Sequence, residues 1–206
     1  MVSTVASTPY IALEGAEGSG KSTQASLLAS ALGAELTQET GGTAIGQRLR
    51  AVLHDTDVHD LDDRAEALIA AADRAQHIAT VVRPALAAGR SVVSDRSVHS
   101  TLAYQGYGRG LDLDELRRLN DWAVDGLWPA RVILLDAPPA DLAGRLHGRD
   151  LDRFETAGDD FHDRVLTGFR AMAAADPQHW TVVDASGDVD AVAARIRDAV
   201  GERVAP

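Results

Sequence analysis

The sequence predicts an α/β fold on a mainly parallel, buried sheet, and three observations predict it. Five short apolar runs recur along the chain, longer stretches rich in Ala, Leu and Arg lie between them, and several of the runs end at Gly, Asp or Pro. Strand–helix alternation of this kind produces parallel strands joined by crossover helices, with both faces of the sheet covered.

The first strand is expected over residues 10–13, Tyr-Ile-Ala-Leu, which run into a glycine-rich turn and then a helix over 21–32 that Gly33 closes. A second strand over 35–38 leads to a helix over 43–53. Residues 62–88 read as one long helix, bent or restarted by Pro84 and ended by Gly89. The third strand is expected over 91–94, followed by a helix over 113–126; the fourth over 132–135, followed by helices over 139–146 and 159–175. The fifth covers 181–184 and precedes a last helix over 189–200. The strand segments are aliphatic and β-branched, and the helical ones are built from strong helix formers. With no internal repeat, linker or low-complexity tail, residues 1–206 are expected to form a single domain.

A chain of 206 residues with 45% hydrophobic and 25% charged residues can bury a real core. The absence of cysteine excludes disulfides and thiolate chemistry and fits a cytoplasmic setting. No apolar run reaches the roughly 18 residues of a membrane span, and residues 1–9 lack the pattern of a signal peptide. A net charge of −11 argues against a general nucleic-acid surface. It leaves small anions open, because charges are screened beyond about 8 Å and a local basic cluster decides. The basic residues divide nineteen arginines to one lysine, Lys21.

That lysine lies in Gly15-Ala16-Glu17-Gly18-Ser19-Gly20-Lys21-Ser22, which matches G-x-x-x-x-G-K-[ST] at every fixed position, between a strand and a helix. The glycines let backbone N–H groups turn around an anion, and the helix N-terminus adds partial positive charge. In such a loop Lys21 reaches the β- and γ-phosphates of ATP and the Ser22 hydroxyl ligates Mg²⁺. An ammonium on a slender stem suits the cradle where a wide planar guanidinium does not. Gly15 through Thr23 are therefore the expected ATP-binding segment.

The apolar run Ser91-Val92-Val93-Ser94 ends in Asp95-Arg96, an acid and a base at a strand's C-terminal end, where ligands bind in doubly wound sheets. Asp95 is the expected second metal ligand and Arg96 the bridge between donor and acceptor phosphates. Asp136 ends the fourth run, but Ala-Pro-Pro follows it and offers no adjacent base. Arg145, Arg149 and Arg153 recur every four residues near Asp152 and Glu155, although Gly148 weakens a regular helix there. In a phosphoryl-transfer enzyme such a segment neutralises transition-state charge and excludes water. The seven histidines show no metal-ligand spacing, and His77 and His162 are expected on helix surfaces.

Several motifs together resemble the thymidylate kinase family, the bacterial dTMP kinases of the P-loop kinase group. They are residues 11–24, Glu39-Thr40-Gly41-Gly42-Thr43, Ala72-Asp73-Arg74-Ala75-Gln76-His77, Asp95-Arg96, Ser100-Thr101-Leu102-Ala103-Tyr104-Gln105-Gly106, Asp152-Arg153-Phe154-Glu155 and Phe161-His162. The resemblance implies a three-layer P-loop kinase fold with a five-stranded, mainly parallel sheet. It implies the reaction ATP + dTMP → ADP + dTDP with Mg²⁺, in a protein that is usually a homodimer and uses no nucleic acid or membrane partner. It implies an acceptor-site helix at about 62–83 and a lid at about 145–158, with the catalytic arginine supplied by the lid as Arg149 or Arg153. By the same resemblance Glu17 approaches the deoxyribose 3′-hydroxyl, Arg74 the thymine O4, Arg96 phosphate, and Ser100 and Thr101 the base edge. Tyr104, with Gln105 beside it, crowds out a 2′-hydroxyl, and Glu155 lies near metal and acceptor.

The chain departs from the family on the acceptor side. Relatives usually carry arginine at Gln38, proline at Thr40, an aromatic ring at Ala70, and an aromatic residue or histidine at Ser97. A lost base–aromatic stack costs about 1–3 kcal/mol, and a lost charged hydrogen bond about 1.5–3 kcal/mol. The expectation is weak dTMP binding or a shifted acceptor. A kinase of another nucleoside monophosphate and a nucleotide-binding protein without turnover therefore stand as alternatives.

Overall fold

The computed structural model describes residues 9–146 and 152–204. Among them five strands, β1 (Tyr10–Glu14), β2 (Glu35–Gln38), β3 (Val92–Asp95), β4 (Arg131–Asp136) and β5 (Trp180–Asp184), form one sheet in the order β2-β3-β1-β4-β5. Every neighbouring pair is parallel. The connections are α1 (Lys21–Leu32), α2 (Ala44–His54), α3 (Asp63–His77), α4 (Arg83–Ala87), α5 (Val98–Thr101), α6 (Leu113–Val124), α7 (Pro139–Leu146) and α8 (Asp159–Ala175), with α9 (Val189–Val204) last. The order reverses beside β1, so the C-terminal ends of β1 and β3 frame the crevice where such sheets bind ligands.

Alternation along β1 divides the core. Ile11 and Leu13 pack with Ala25 and Leu28 of α1 and Val192 and Ile196 of α9, whereas Tyr10 packs with Ile78 and Val82. A third cluster joins Ala67 and Ala70 of α3 to Tyr104, Phe154, Phe161 and Phe169.

The predicted elements are present, with boundaries that differ for local reasons. The third strand extends through Asp95, which pairs with Leu13 on one side and Gln38 on the other. Asp62 and Thr43 cap α3 and α2 from outside: their side chains accept from the N–H groups of Arg64 and Ala65, and of Gly46. Pro84 lacks an N–H and its ring crowds the carbonyl four residues back. Ahead of it, at Ile78–Val82, the ladder widens to a π-helical register in which Arg83 N–H donates to Ile78 O, and the rod then resumes as α4. The helical stretch from Val98 to Gly108, α5 and a π-helical segment, has no counterpart among the predicted elements. Its glycines, poor helix formers, are there for close packing: a Cβ on Gly108 would stand 2.6 Å from Phe161 Cε2 on α8.

One expectation is corrected. His77 is not on a helix surface but fully buried between α3 and β2. Its Nδ1–H donates to Glu39 Oε1 (2.9 Å), and its Nε2 meets Thr37 Oγ1 (2.6 Å). Burial at 77 follows from the face that Ala67, Ala70, Ala71 and Arg74 share with it at helical spacing, which packs inward. His162 is half-buried, its Nε2 3.3 Å from Glu155 O.

Candidate functional site

The loop after β1 is shaped by glycines in backbone regions closed to other residues. Gly15, Gly18 and Gly20 have φ of 147°, 77° and 88°. A Cβ on Gly15 would meet Leu135 O at 2.6 Å, so the loop lies directly on the end of β4. Gly20 is the N-cap of α1. Lys21, in the first turn, is buried; its Nζ donates to Ala16 O (2.8 Å) and Ser19 Oγ (3.3 Å). Burial, and then the Arg96 guanidinium, lower its pKa to about 8 against the pull of Glu17 and Asp95. The loop thus carries a cation that is costly to bury and that a phosphate would satisfy.

Ser22 Oγ donates to Asp95 Oδ2 at 2.5 Å, joining the start of α1 to the end of β3. Asp95 Oδ1 is buried without a hydrogen-bond partner among the described residues. A buried carboxylate oxygen left bare in this way is expensive unless a cation or a ligand completes it. A hydroxyl and a carboxylate beside a phosphate-binding loop are the oxygen donors that Mg²⁺ takes when it is shared with a nucleotide, so these residues fit the ion. The rival acid, Asp136, is held in a two-point ion pair by Arg170 (3.0 and 2.9 Å).

Arg96 follows Asp95 with φ 71°, a left-handed conformation in a residue that has a Cβ. Its guanidinium donates to Glu17 Oε1, Tyr104 Oη (3.2 Å), Ser100 Oγ (3.3 Å) and Gly15 O (3.4 Å), and lies 5.1 Å from the Tyr104 ring centroid. Tyr104 Oη in turn donates to Glu17 (3.0 Å). Burial would raise the Glu17 carboxyl, but Arg96, with Lys21 and the Tyr104 hydroxyl, outweighs it and brings the pKa down to about 2. Burial likewise works against charge on Arg96, and Glu17 more than offsets it, so its pKa is raised.

A cavity of about 660 Å³ lies against this centre, within the usual range for small-molecule sites. Its walls include Gly18, Gly20–Thr23 and Arg145. They also include Gln38, Arg50, His54, Ala70, Arg74 and Phe154, and Ser100, Thr101, Tyr104, Gln105 and Glu155. Arg74, 2% exposed, is held rigidly: Nε donates to Glu39 (2.7 Å), one terminal nitrogen to Thr101 Oγ1 (3.1 Å) and Asn120 Oδ1, and the other to Ser97 O (3.3 Å). Four of its five N–H groups are so used, and one remains for a ligand. Thr101 accepts from Arg74 and keeps its own hydroxyl proton, whereas Ser100 gives its proton to Glu14 (2.7 Å). Gln105 donates its amide to the buried Glu66 (2.7 Å).

Of the predicted site residues among those described, all but Arg153 and the loop residues Gly15, Ala16 and Ser19 line the cavity. Arg153 does not wall the cavity: its guanidinium donates to Glu66 Oε2 (2.5 Å) and Leu53 O (2.9 Å) and covers the Phe154 ring. Arg145 turns the other way, to Gly18 O (3.3 Å) and Ala185 O (2.9 Å). Arg149 lies outside the described residues. Sequence reasoning missed Glu14, His54 and Arg50, and the pairing of Glu39 with both the predicted Arg74 and His77. Of these, only Glu14 left a local signal, an acid at the end of an apolar strand.

The family model described as thymidylate kinase matches residues 13–196. The chain is 47% identical over 206 residues to a thymidylate kinase of Solidesulfovibrio magneticus, covering 94% of this chain and 99% of that one. It is 44% identical over 201 residues to a thymidylate kinase of Bifidobacterium longum, covering 94% and 97%. A crystal structure of thymidylate kinase from Ehrlichia chaffeensis superposes with a TM-score of 0.77 at 29% identity, covering 93% of this chain and 98% of that one.

Proposed function

The chain belongs to the thymidylate kinase family, and from that membership and the site we propose that it is a dTMP kinase, a single P-loop kinase domain that moves the γ-phosphoryl of ATP to dTMP. The observation that carries the reading is that Lys21, Arg96 and the Ser22–Asp95 pair line one cavity together with Arg74, Thr101 and Tyr104.

Phosphoryl transfer asks the protein for positioning and charge neutralisation more than for covalent chemistry. The loop N–H groups and Lys21 hold the ATP phosphates. Ser22 and Asp95 would hold Mg²⁺, which when bound would supply neutralisation of phosphate charge. Arg96, fixed by Glu17 and Tyr104, is aimed at phosphate between the two nucleotides. Arg74 and Thr101 each offer one N–H or O–H donor to the acceptor base, with Ser100, Gln105 and Glu155 lining the same cavity. Tyr104 narrows the space beside the sugar. Arg149 is the arginine we assign to transition-state charge, because Arg153 is engaged by Glu66.

No helix among the described residues is long and apolar enough to cross a membrane, and the reading places the enzyme in the cytoplasm. It also takes the protein as a homodimer. Leu68 on α3 and Trp122 on α6, 56% and 82% exposed, are large apolar side chains that a second copy would cover. The direct test is product analysis: with ATP, Mg²⁺ and dTMP, ADP and dTDP form in equal amounts, and leaving out dTMP abolishes both. ATP consumption independent of dTMP would refute the reading.

A further inference from the structure

Glu14 is the last residue of β1, immediately before the phosphate loop, and its carboxylate is fully buried. Alternation from Tyr10 and Ala12 would place an apolar side chain there. Instead the carboxylate accepts three hydrogen bonds from a single short stretch of chain. Oε1 receives Ser97 N–H (2.8 Å) and Ser97 Oγ–H (2.7 Å), and Oε2 receives Ser100 Oγ–H (2.7 Å). A buried carboxylate needs this degree of satisfaction to be tolerated at all, and an apolar group of similar shape would serve stability as well.

What the three bonds hold is the turn carrying Arg96. That residue sits at φ 71° without being glycine, a conformation that persists only where the surroundings over-determine it. Its N–H donates to Leu13 O (2.9 Å), its carbonyl accepts from Ser94 Oγ (2.7 Å), and the next residue is tied down by Glu14. Ser100, which donates to Glu14, also receives the Arg96 guanidinium (3.3 Å). Glu14 therefore fixes both the backbone of Arg96 and one of the groups that orient its side chain, from a residue adjacent to the loop that holds the donor phosphates.

We propose that Glu14 is a positioning residue for phosphoryl transfer, setting Arg96 relative to the phosphate loop through Ser97 and Ser100. The inference rests on the dTMP kinase reading for the role of Arg96. It concerns how the chain builds that residue's geometry, a part of the site that ligand contacts leave unassigned.

The test is Glu14→Gln. The amide can keep its oxygen toward Ser97, but it then turns a donor toward Ser100 and breaks the serine's own donation. The expected result is a fall in kcat of tenfold or more, with KM for ATP within twofold of the unmodified enzyme and a thermal midpoint within about 4 °C. A double-mutant cycle separates positioning from packing: in an Arg96→Ala background, Glu14→Gln should cost less than a further twofold. A kcat within twofold of the unmodified enzyme, or losses that multiply in the double variant, would overturn the proposal. If Glu14→Gln fails to fold, Ser97→Ala removes one donor without touching the strand and should lower kcat two- to fivefold; unchanged kcat there overturns it too. The assay uses whichever nucleoside monophosphate the unmodified chain phosphorylates. Failure of the dTMP reading thus shows in the unmodified protein, and failure of this proposal shows only in the variants. A chain that phosphorylates none would overturn both.

Discussion

Arg153 and Glu66 form an ion pair with a buried acid: the half-buried guanidinium donates to a carboxylate that has no solvent exposure, and the same carboxylate receives Gln105 (2.7 Å) and Arg109 (3.1 Å). The turn that carries Arg153 is thereby fastened to α3. Glu66→Gln would leave two guanidiniums facing a neutral amide. Removing one partner of a buried pair costs about 3 kcal/mol or more. Urea unfolding should show the loss as a lower midpoint at unchanged slope, and a change below about 1 kcal/mol would mean that the cluster is not a stability hub.

The same pair distinguishes the lid arginines. Because Arg153 is engaged by Glu66, Arg149→Ala should lower kcat by roughly 10³-fold or more, the scale of an arginine that meets transition-state charge. Arg153→Ala should act chiefly on stability. Single-turnover rates for the two variants decide it; a larger chemical defect in Arg153→Ala would reverse the assignment.

Lys21 should make nucleotide binding sensitive to mild alkali. Its pKa in the folded, nucleotide-free chain is about 8, lowered first by burial and then by Arg96. The ammonium is lost as pH rises through that value, so calorimetry from pH 7 to 9 should show ATP binding weaken. Stability runs the other way. Between about 8 and the ordinary lysine value near 10.4, the unfolded chain keeps a proton that the folded chain has released, so this group's contribution to stability rises with pH. Lys21→Arg should fold and lose turnover by roughly 100-fold or more.

Asp95→Asn tests the metal assignment. The substitution keeps the shape of the site and removes the charge beside the unpartnered Oδ1. The Mg²⁺ concentration needed for half-maximal activity should rise about 10–100-fold. An unchanged Mg²⁺ curve would move the metal away from this pair.

Local patterns carried most of the architecture and the donor half of the site. The glycine spacing from Gly15 to Ser22 encodes a loop whose function depends on its own backbone, and Asp95-Arg96 marks a strand end by chemistry alone. The acceptor half depends on contacts between distant segments. His77 finds its hydrogen-bond partner in Glu39, 38 residues away in sequence. Arg153 faces Glu66, 87 residues away, and no periodicity in the arginines records that pairing. Segment 98–108 escaped prediction because its glycines lower helix propensity, and the packing that rewards them lies on α8.

Acceptor choice decides whether the chain is a dTMP kinase, since Gln38 and Ala70, where it departs from the family, line the cavity. The measurement is steady-state transfer from ATP to dTMP, dUMP, modified pyrimidine and purine monophosphates at fixed Mg²⁺, compared by kcat/KM. dTMP should rank first, with product formation that requires it. Another monophosphate ranking above dTMP, or tight ATP binding with no transfer to any of them, would contradict it.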